Sequence, residues 1–414
     1  MADEKKTKKS RRRGMLVVLI LLAVVVIAGL AALPLSSRVM GALARHTKAV
    51  VSTITTSQAG STTQPGSAAL PISRGVPAFS SGGYEPASSA NDNSFDTFWR
   101  SQGAPAWLAY DLSRVPASRR ERVLVLWYNE STNYDHTLIN NPTYNTPQDY
   151  TIEVNSAAGG GNPPQTGWRS LVTERGNHYH SRQYVLNMAG YNWLRMNVTA
   201  NDGAAENYDT QINLDVYDAS TALADDWMFY GDSITAGAMG HTTLGGVAAF
   251  AQLINARVPD SYPAQEDGGT GYLTSSDAVS HLATWLGLFP GKYVGLSYGT
   301  NDALGCVNPA TFYQNYATMV QKVLHAGKIP LVPLIPWGKN ANIQRCAPAL
   351  NAQITALYRA FPQIIHGPDL WSFFQAHQNL ISQDTIHPGE DGFGAYRQQW
   401  ASTLLSEVYH APAQ

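Results

Sequence analysis

The pattern of apolar residues changes character near Asp225, and that change divides the chain beyond residue 74 into two unlike parts. Beyond it, apolar runs (Trp227 to Tyr230, Tyr293 to Ser297, Ile329 to Ile335, Ile364 to Ile365) alternate with amphipathic stretches at roughly Gly246–Arg257, Ser276–Leu288, Pro309–Ala326, Pro348–Ala360 and Gly392–Val408. Strands alternating with helices imply an α/β domain with a parallel sheet covered on both faces. In such a domain ligands sit at the carboxyl ends of the strands. Before Asp225, over residues 75–220, short β-type runs are separated by Gly, Asn, Pro and Asp clusters. Val123 to Trp127, Tyr150 to Val154, Gln183 to Leu186 and Trp193 to Val198 read as strands, and Ile212 to Tyr217 alternates as a half-buried strand does. Helical periodicity is absent there, which predicts an all-β sandwich.

The N-terminus has a third texture. Residues 1–14 carry seven Lys and Arg against Asp3 and Glu4, and Met15 to Leu33 follows without a charge, closed by Pro34. Nineteen helical residues would cover roughly 28 Å, close to a ~30 Å hydrocarbon core. The basic flank places a cytoplasmic tail at 1–14, a transmembrane signal anchor at 15–34 and everything beyond it outside the cytoplasm. A cleaved signal peptide is the alternative, but its apolar stretch usually spans only ~7–15 residues. Residues 35–74 then form a juxtamembrane segment and a Ser, Thr, Gly and Pro-rich tether.

Net charge is −2 overall, and the basic tail hides a mildly acidic body. Such a body lacks the basic face that nucleic acid requires. The two cysteines, Cys306 and Cys346, fall in the final third. An oxidising compartment permits a disulfide between them, with two buried thiols as the alternative. No Cys/His cluster with zinc spacing occurs.

Three short motifs fall where the expected strands end. Gly231-Asp232-Ser233-Ile234-Thr235 follows the first apolar run and can expose the Ser233 hydroxyl. Gly299-Thr300-Asn301-Asp302 follows the second, where the Asn301 amide can donate to a developing oxyanion. Asp384-Thr385-Ile386-His387-Pro388 precedes the last helical stretch, and an Asp and a His three apart on a tight loop can meet side chain to side chain. The other histidines, His241, His325, His366 and His377 among them, lack such a setting. Asp232 reads as a residue that shapes its turn.

Together these motifs, in this order, resemble the SGNH (GDSL-like) hydrolases over roughly 224–412. The resemblance implies a flavodoxin-like three-layer domain at 221–414 and a serine esterase. Ser233 would be the nucleophile, His387 the base and Asp384 its orienting partner. The oxyanion hole would combine the N–H groups of Ser233 and Gly271 with Asn301. The glycine comes from Gly268-Gly269-Thr270-Gly271, where Gly269 is the alternative, because Gln265-Glu266-Asp267 stands where the family often carries Asn. No metal or organic cofactor is implied.

The upstream part resembles a discoidin-like jelly roll through Ala90 to Ser101, Pro105 to Leu112, Pro147 to Val154, Trp193 to Thr199 and Gln211 to Asn213. Such domains often bind glycans through end loops, and the aromatic, amide-rich stretch from Tyr128 to Tyr150 could stack on a sugar. A module that only spaces or docks the enzyme is the other reading. An enzyme tethered outside a membrane beside such a sandwich points to O-acyl, chiefly O-acetyl, esters on a polysaccharide. A polysaccharide O-acetyltransferase with the same triad, or a non-catalytic glycan-binding scaffold in an envelope or export complex, are the rival functions.

Overall fold

The computed structural model describes residues 71–129, 145–202, 209–220 and 225–411. The expected anchor, the expected tether up to residue 70 and most of the 128–150 loop lie outside the described residues, whereas the last residues expected in the tether, Pro71 to Arg74, belong to the sandwich, with Ile72 and Ser73 buried. Among the described residues no helix is long and apolar enough to cross a membrane.

Among the described residues nine strands build the upstream part: β1 (Ala78–Ser80), β2 (Trp99–Arg100), β3 (Ala106–Asp111), β4 (Arg122–Tyr128), β5 (Pro147–Asn155), β6 (Arg169–Glu174), β7 (Ser181–Asn187), β8 (Trp193–Asn201) and β9 (Gln211–Asp218), with a short helix α1 (Ala117–Arg120) before β4. They form two antiparallel sheets, ordered β1-β3-β8-β5-β6 and β2-β9-β4-β7. One core lies between them, filled by Leu108, Tyr110, Val125, Trp127, Met196 and Leu214 among others. The first core residue is Ile72, whose N–H bonds the Val216 carbonyl.

Strand β9 departs from the expected half-buried state, since every residue from Gln211 to Val216 is buried. Period-two alternation sends Ile212, Leu214 and Val216 into the sandwich core. The opposite face carries Asn213, Asp215 and Tyr217, beside Leu124 and Leu126 of β4 and Gln183 and Val185 of β7. That face is covered by the downstream α/β part: Leu124, Val185 and Tyr217 pack with Ala264. The sandwich is docked along its length, with Gln183 Nε2 donating to Glu266 Oε2 at 2.7 Å. His241 Nδ1 and Asp96 Oδ1 lie 3.1 Å apart, and the Phe95 N–H donates to Thr242 Oγ1 at 2.8 Å.

Downstream, β10 (Asp226–Gly231), β13 (Ala264–Gly269), β14 (Tyr293–Ser297), β15 (Ile329–Val332) and β16 (Ile365–His366) make a parallel sheet in the order β13-β10-β14-β15-β16. A hairpin, β11 (Thr243–Leu244) with β12 (Val247–Ala248), lies apart. The helices are α2 (Ser233–Met239), α3 (Phe250–Asn255), α4 (Ser275–Leu288), α5 (Thr300–Leu304), α6 (Pro309–His325), α7 (Ala341–Ala360), α8 (Leu370–Ala376) and α9 (Glu390–Glu407). Alternation along β10 sends Met228 and Tyr230 toward α4, α6 and α7. Trp227 and Phe229 point the other way, toward α2, α3, α8 and α9. The layers are thus helix, sheet, helix. Emptying one large site, as in Trp400→Ala, would cost about 3–5 kcal/mol.

Three expectations need correction. Strand β13 is missing from the sequence reading because Gln265, Glu266 and Asp267 look like a surface loop, yet all three are buried. Gly268 and Gly269 belong to this strand and not to the loop after it. Pro348 does not start its helix: α7 begins at Ala341, and Pro348 lies on its exposed side, where water can serve the carbonyl its missing N–H leaves open. The helix expected from Gly246 shortens to Phe250–Asn255, since Val247 and Ala248 pair in the hairpin.

The joint between the two parts buries ionisable groups. Burial pushes the Asp226 carboxyl up to about 8, against the lowering effect of Gln183 and Lys328. Burial, and then the neighbouring Asp226, push Glu266 well above the usual range. Raised folded-state values mean that the stability these carboxyls contribute is present below the unfolded pKa and is lost as pH rises through the folded one. Thermal melts of the wild type are therefore expected to fall between about pH 4 and pH 8 more steeply than those of Asp226→Asn. Parallel curves would contradict a buried, protonated Asp226.

Candidate active site

Strand register assembles the site. Gly231 of β10 aligns with Gly269 of β13 and with Ser297 of β14, so three chain segments leave the sheet side by side. The first enters α2 at Ser233. Asp232 caps that helix, its Oδ1 accepting the Ile234 N–H at 3.0 Å. Gly231 is required here, because a Cβ would fall 2.0 Å from Thr235 Oγ1. Burial raises the Asp232 carboxyl to about 6, against the backbone N–H of Ile234 and the nearby His387. At the far end of α2 the fully buried Arg397 donates through Nη2 to the Ala238 carbonyl at 2.6 Å, fixing the helix that presents Ser233.

Ser233 Oγ lies 2.7 Å from His387 Nε2, and His387 Nδ1 lies 2.6 Å from Asp384 Oδ2. The loop that brings Asp384 to His387 is closed by the Ser382 N–H on the His387 carbonyl at 2.9 Å and by a bridge between Ile381 and Pro388. Thr385 takes a left-handed φ of 72° at its tip. Asp384 Oδ1 accepts the Ser382 hydroxyl at 2.7 Å and the N–H groups of Ile386 and His387 at 2.9 Å each. Partial burial would raise this carboxyl, but those donors together with the His387 ring hold it down at about 2. The hydrogen bonds compensate for exposure: the Asp384 side chain is 48% accessible. Nothing in the sequence singles out Ser382 for this part.

The second segment supplies Asn301, on the first turn of α5. Its Nδ2 donates to the Leu273 carbonyl at 2.9 Å, which orients the amide and leaves its second N–H for another acceptor. Asp302 is buried and ties this turn to the start of α4, accepting from the Ser275 N–H at 2.9 Å and from its hydroxyl at 2.5 Å. A disulfide joins Cys306, just past α5, to Cys346 in α7, with Cα atoms 5.3 Å apart. It braces the turn that carries Asn301.

The third segment places the two glycines in different surroundings. A Cβ on Gly269 would lie 2.2 Å from the Ala236 nitrogen, and the Gly269 N–H donates to Asp267 Oδ1 at 2.8 Å. The Thr270 N–H is taken by the Gly231 carbonyl at 2.9 Å. A Cβ on Gly271 would meet nothing within 4 Å. Gly269 is therefore needed for the close approach of β13 to α2, whereas Gly271 faces open space. Among the described residues no three His, Cys, Asp or Glu side chains gather as a metal ion would require.

Residues 229–395, which span this parallel sheet, match the model of the GDSL-like Lipase/Acylhydrolase family. No curated protein matches the chain. Among solved structures, it is similar to a lipase/acylhydrolase from Enterococcus faecalis (18% identity, covering 46% of this chain and 98% of that one, TM-score 0.37). It is similar also to an acetylxylan esterase from Geobacillus stearothermophilus (16%, 44% and 94%, TM-score 0.37). A third likeness is to a chitosan-binding module from a Paenibacillus chitosanase/glucanase (20%, 36% and 98%, TM-score 0.26).

The glycine geometry gives a paired expectation. Gly269→Ala should lower stability by about 1–3 kcal/mol through overpacking against α2. Gly271→Ala should leave stability within about 0.5 kcal/mol while lowering turnover of p-nitrophenyl acetate. Urea melts and initial rates check both, and the reverse pattern would assign the open position to Gly269.

Proposed function

We propose that this protein is a membrane-tethered serine esterase that removes short O-acyl groups, chiefly acetyl, from an extracytoplasmic polysaccharide. The observation that carries the esterase reading is the unbroken chain of contacts from Ser233 Oγ to His387 Nε2 at 2.7 Å and from His387 Nδ1 to Asp384 Oδ2 at 2.6 Å. In this mechanism Ser233 attacks the ester carbonyl and His387 takes its proton. Asp384 fixes the imidazole tautomer and stabilises the imidazolium that forms. The carbonyl oxygen becomes an oxyanion held by the Ser233 and Gly271 N–H groups and by the second N–H of Asn301. Each such donor is typically worth ~10²–10³ in kcat. The tetrahedral intermediate collapses with loss of the sugar alkoxide, which is protonated by His387. Water, deprotonated by the same imidazole, attacks the acyl-enzyme and releases the carboxylic acid and free Ser233.

Placement outside the membrane is supported by the basic tail ahead of the uncharged run from Met15 to Leu33, and by the Cys306–Cys346 bridge, a pairing that persists in oxidising compartments. The polysaccharide substrate is supported by the sandwich, read as a discoidin-like glycan-binding module and held against the hydrolase sheet by Gln183, Asp96 and Phe95.

Ser233→Ala should reduce kcat on p-nitrophenyl acetate by at least ~10³-fold, and Asp384→Asn by on the order of 10²–10⁴-fold. Rates equal to wild type in Ser233→Ala would remove the mechanism. Acetate release from a panel of chemically O-acetylated glycans (xylan, mannan, chitin oligomers) tests the substrate, and hydrolysis of the small ester alone would remove that part. Because Asp384 is held at about 2, it is ionised across the working range and adds no limb to the kcat/KM profile above about pH 3. An acid limb abolished selectively by Asp384→Asn would contradict this.

A further inference from the structure

Among the described residues two large hydrophobic side chains are left exposed, Tyr84 at 62% and Tyr272 at 79%. A single exposed ring is ordinary on a protein surface. Tyr84 lies 5.3 Å from the Arg100 guanidinium, which accounts for it locally. Tyr272 has no ring or hydrogen-bond partner among the described residues, and it pays a backbone cost. Its φ of 68° lies in the left-handed region, which a bulky aromatic enters against steric resistance. Strain of this kind persists only where the surrounding structure imposes it and gathers at functional sites, and at Tyr272 burial of the side chain offsets almost none of it.

The backbone around it is fixed on both sides. Thr270 is tied to the Gly231 carbonyl, and Leu273 is buried with its own carbonyl holding Asn301. Tyr272 follows directly on Gly271, whose Cα faces open space. The twist at Tyr272 therefore sets an uncommitted aromatic ring at the rim of the oxyanion loop, one residue from a proposed oxyanion donor.

We propose that Tyr272 is a specificity-determining residue that stacks on the sugar ring bearing the acyl group, which rests on the esterase reading above. The face of a pyranose presents axial C–H groups that pack against an aromatic ring, and a small aliphatic ester has no such face. Stacking would hold the sugar hydroxyl's ester over Ser233 without contributing to the chemical step.

The test compares full-length wild type with Tyr272→Ala, Tyr272→Phe and Tyr272→Gly on ethyl acetate, followed by acid release, and on the best substrate of the acetylated-glycan panel. Tyr272→Ala should raise KM for the glycan by about tenfold or more with kcat nearly unchanged, while the small ester is affected by less than about threefold. Tyr272→Phe should restore the wild-type KM, since the ring and not the hydroxyl makes the contact. Tyr272→Gly relieves the left-handed strain, so it should melt no lower than wild type and still lose glycan affinity, a combination no structural role gives. An unchanged glycan KM in Tyr272→Ala, or equal losses on both substrates, would overturn the inference and leave the esterase reading intact. A wild type that cleaves the small ester but no acetylated glycan would overturn the substrate reading and this inference with it.

Discussion

The parallel pairing of β10 with β13 on one side and β14 on the other sets the geometry on which the rest depends. Because Gly231 is in register with Gly269 and Ser297, the chain leaves all three strands at one level. Ser233, Gly271 and Asn301 then lie on adjacent exits without any of them needing a long loop. A shift of one residue in either pairing would exchange the Trp227 and Phe229 face with the Met228 and Tyr230 face, and each is packed by different helices, so packing protects the site's alignment. The layers above and below, packed on alternate residues of β10, hold that register.

Small polar contacts then hold the exits rigid. Arg397 fixes the far end of α2, Asp302 fixes α5 to α4, and the Cys306–Cys346 bridge ties the same turn to α7. Asp384 shows the other strategy. It is nearly half exposed, where an ion pair alone would count for little, yet four donors hold it as a carboxylate beside His387. Rigid neighbours of this kind let the site be assembled before an ester arrives, which is how oxyanion donors gain their effect.

Much of this was legible from residue order. Ser233, Asn301, Asp384 and His387 announce themselves because each falls at the end of an apolar run or inside a short turn, and those signals are local. Strand β13 was not legible, since Gln265, Glu266 and Asp267 are polar and what covers them is distant in sequence: Glu266 meets Gln183, more than eighty residues away, and Gln265 meets Met239 and Ala251. Asn213 and Asp215 on β9 are polar and buried as well. Periodicity reports which faces differ, not what covers the polar one. The choice between Gly269 and Gly271 likewise needed the position of Ala236, which no spacing rule contains. Ser382 and Leu273 support the site through a hydroxyl and a carbonyl, groups too common to stand out.

The sandwich does more here than a tethered module would. Its β4-β7-β9 face closes over Ala264 and Glu266 at the edge strand β13, so it shields a sheet edge whose free N–H and C=O groups invite pairing. The central claim, however, is the reactivity of one hydroxyl, and covalent labelling tests it most directly. Incubation with diethyl p-nitrophenyl phosphate followed by peptide mapping should place one phosphoryl group on Ser233 in the wild type and leave His387→Ala essentially unlabelled. Stoichiometric label on another residue, or none on a folded wild type, would contradict the account.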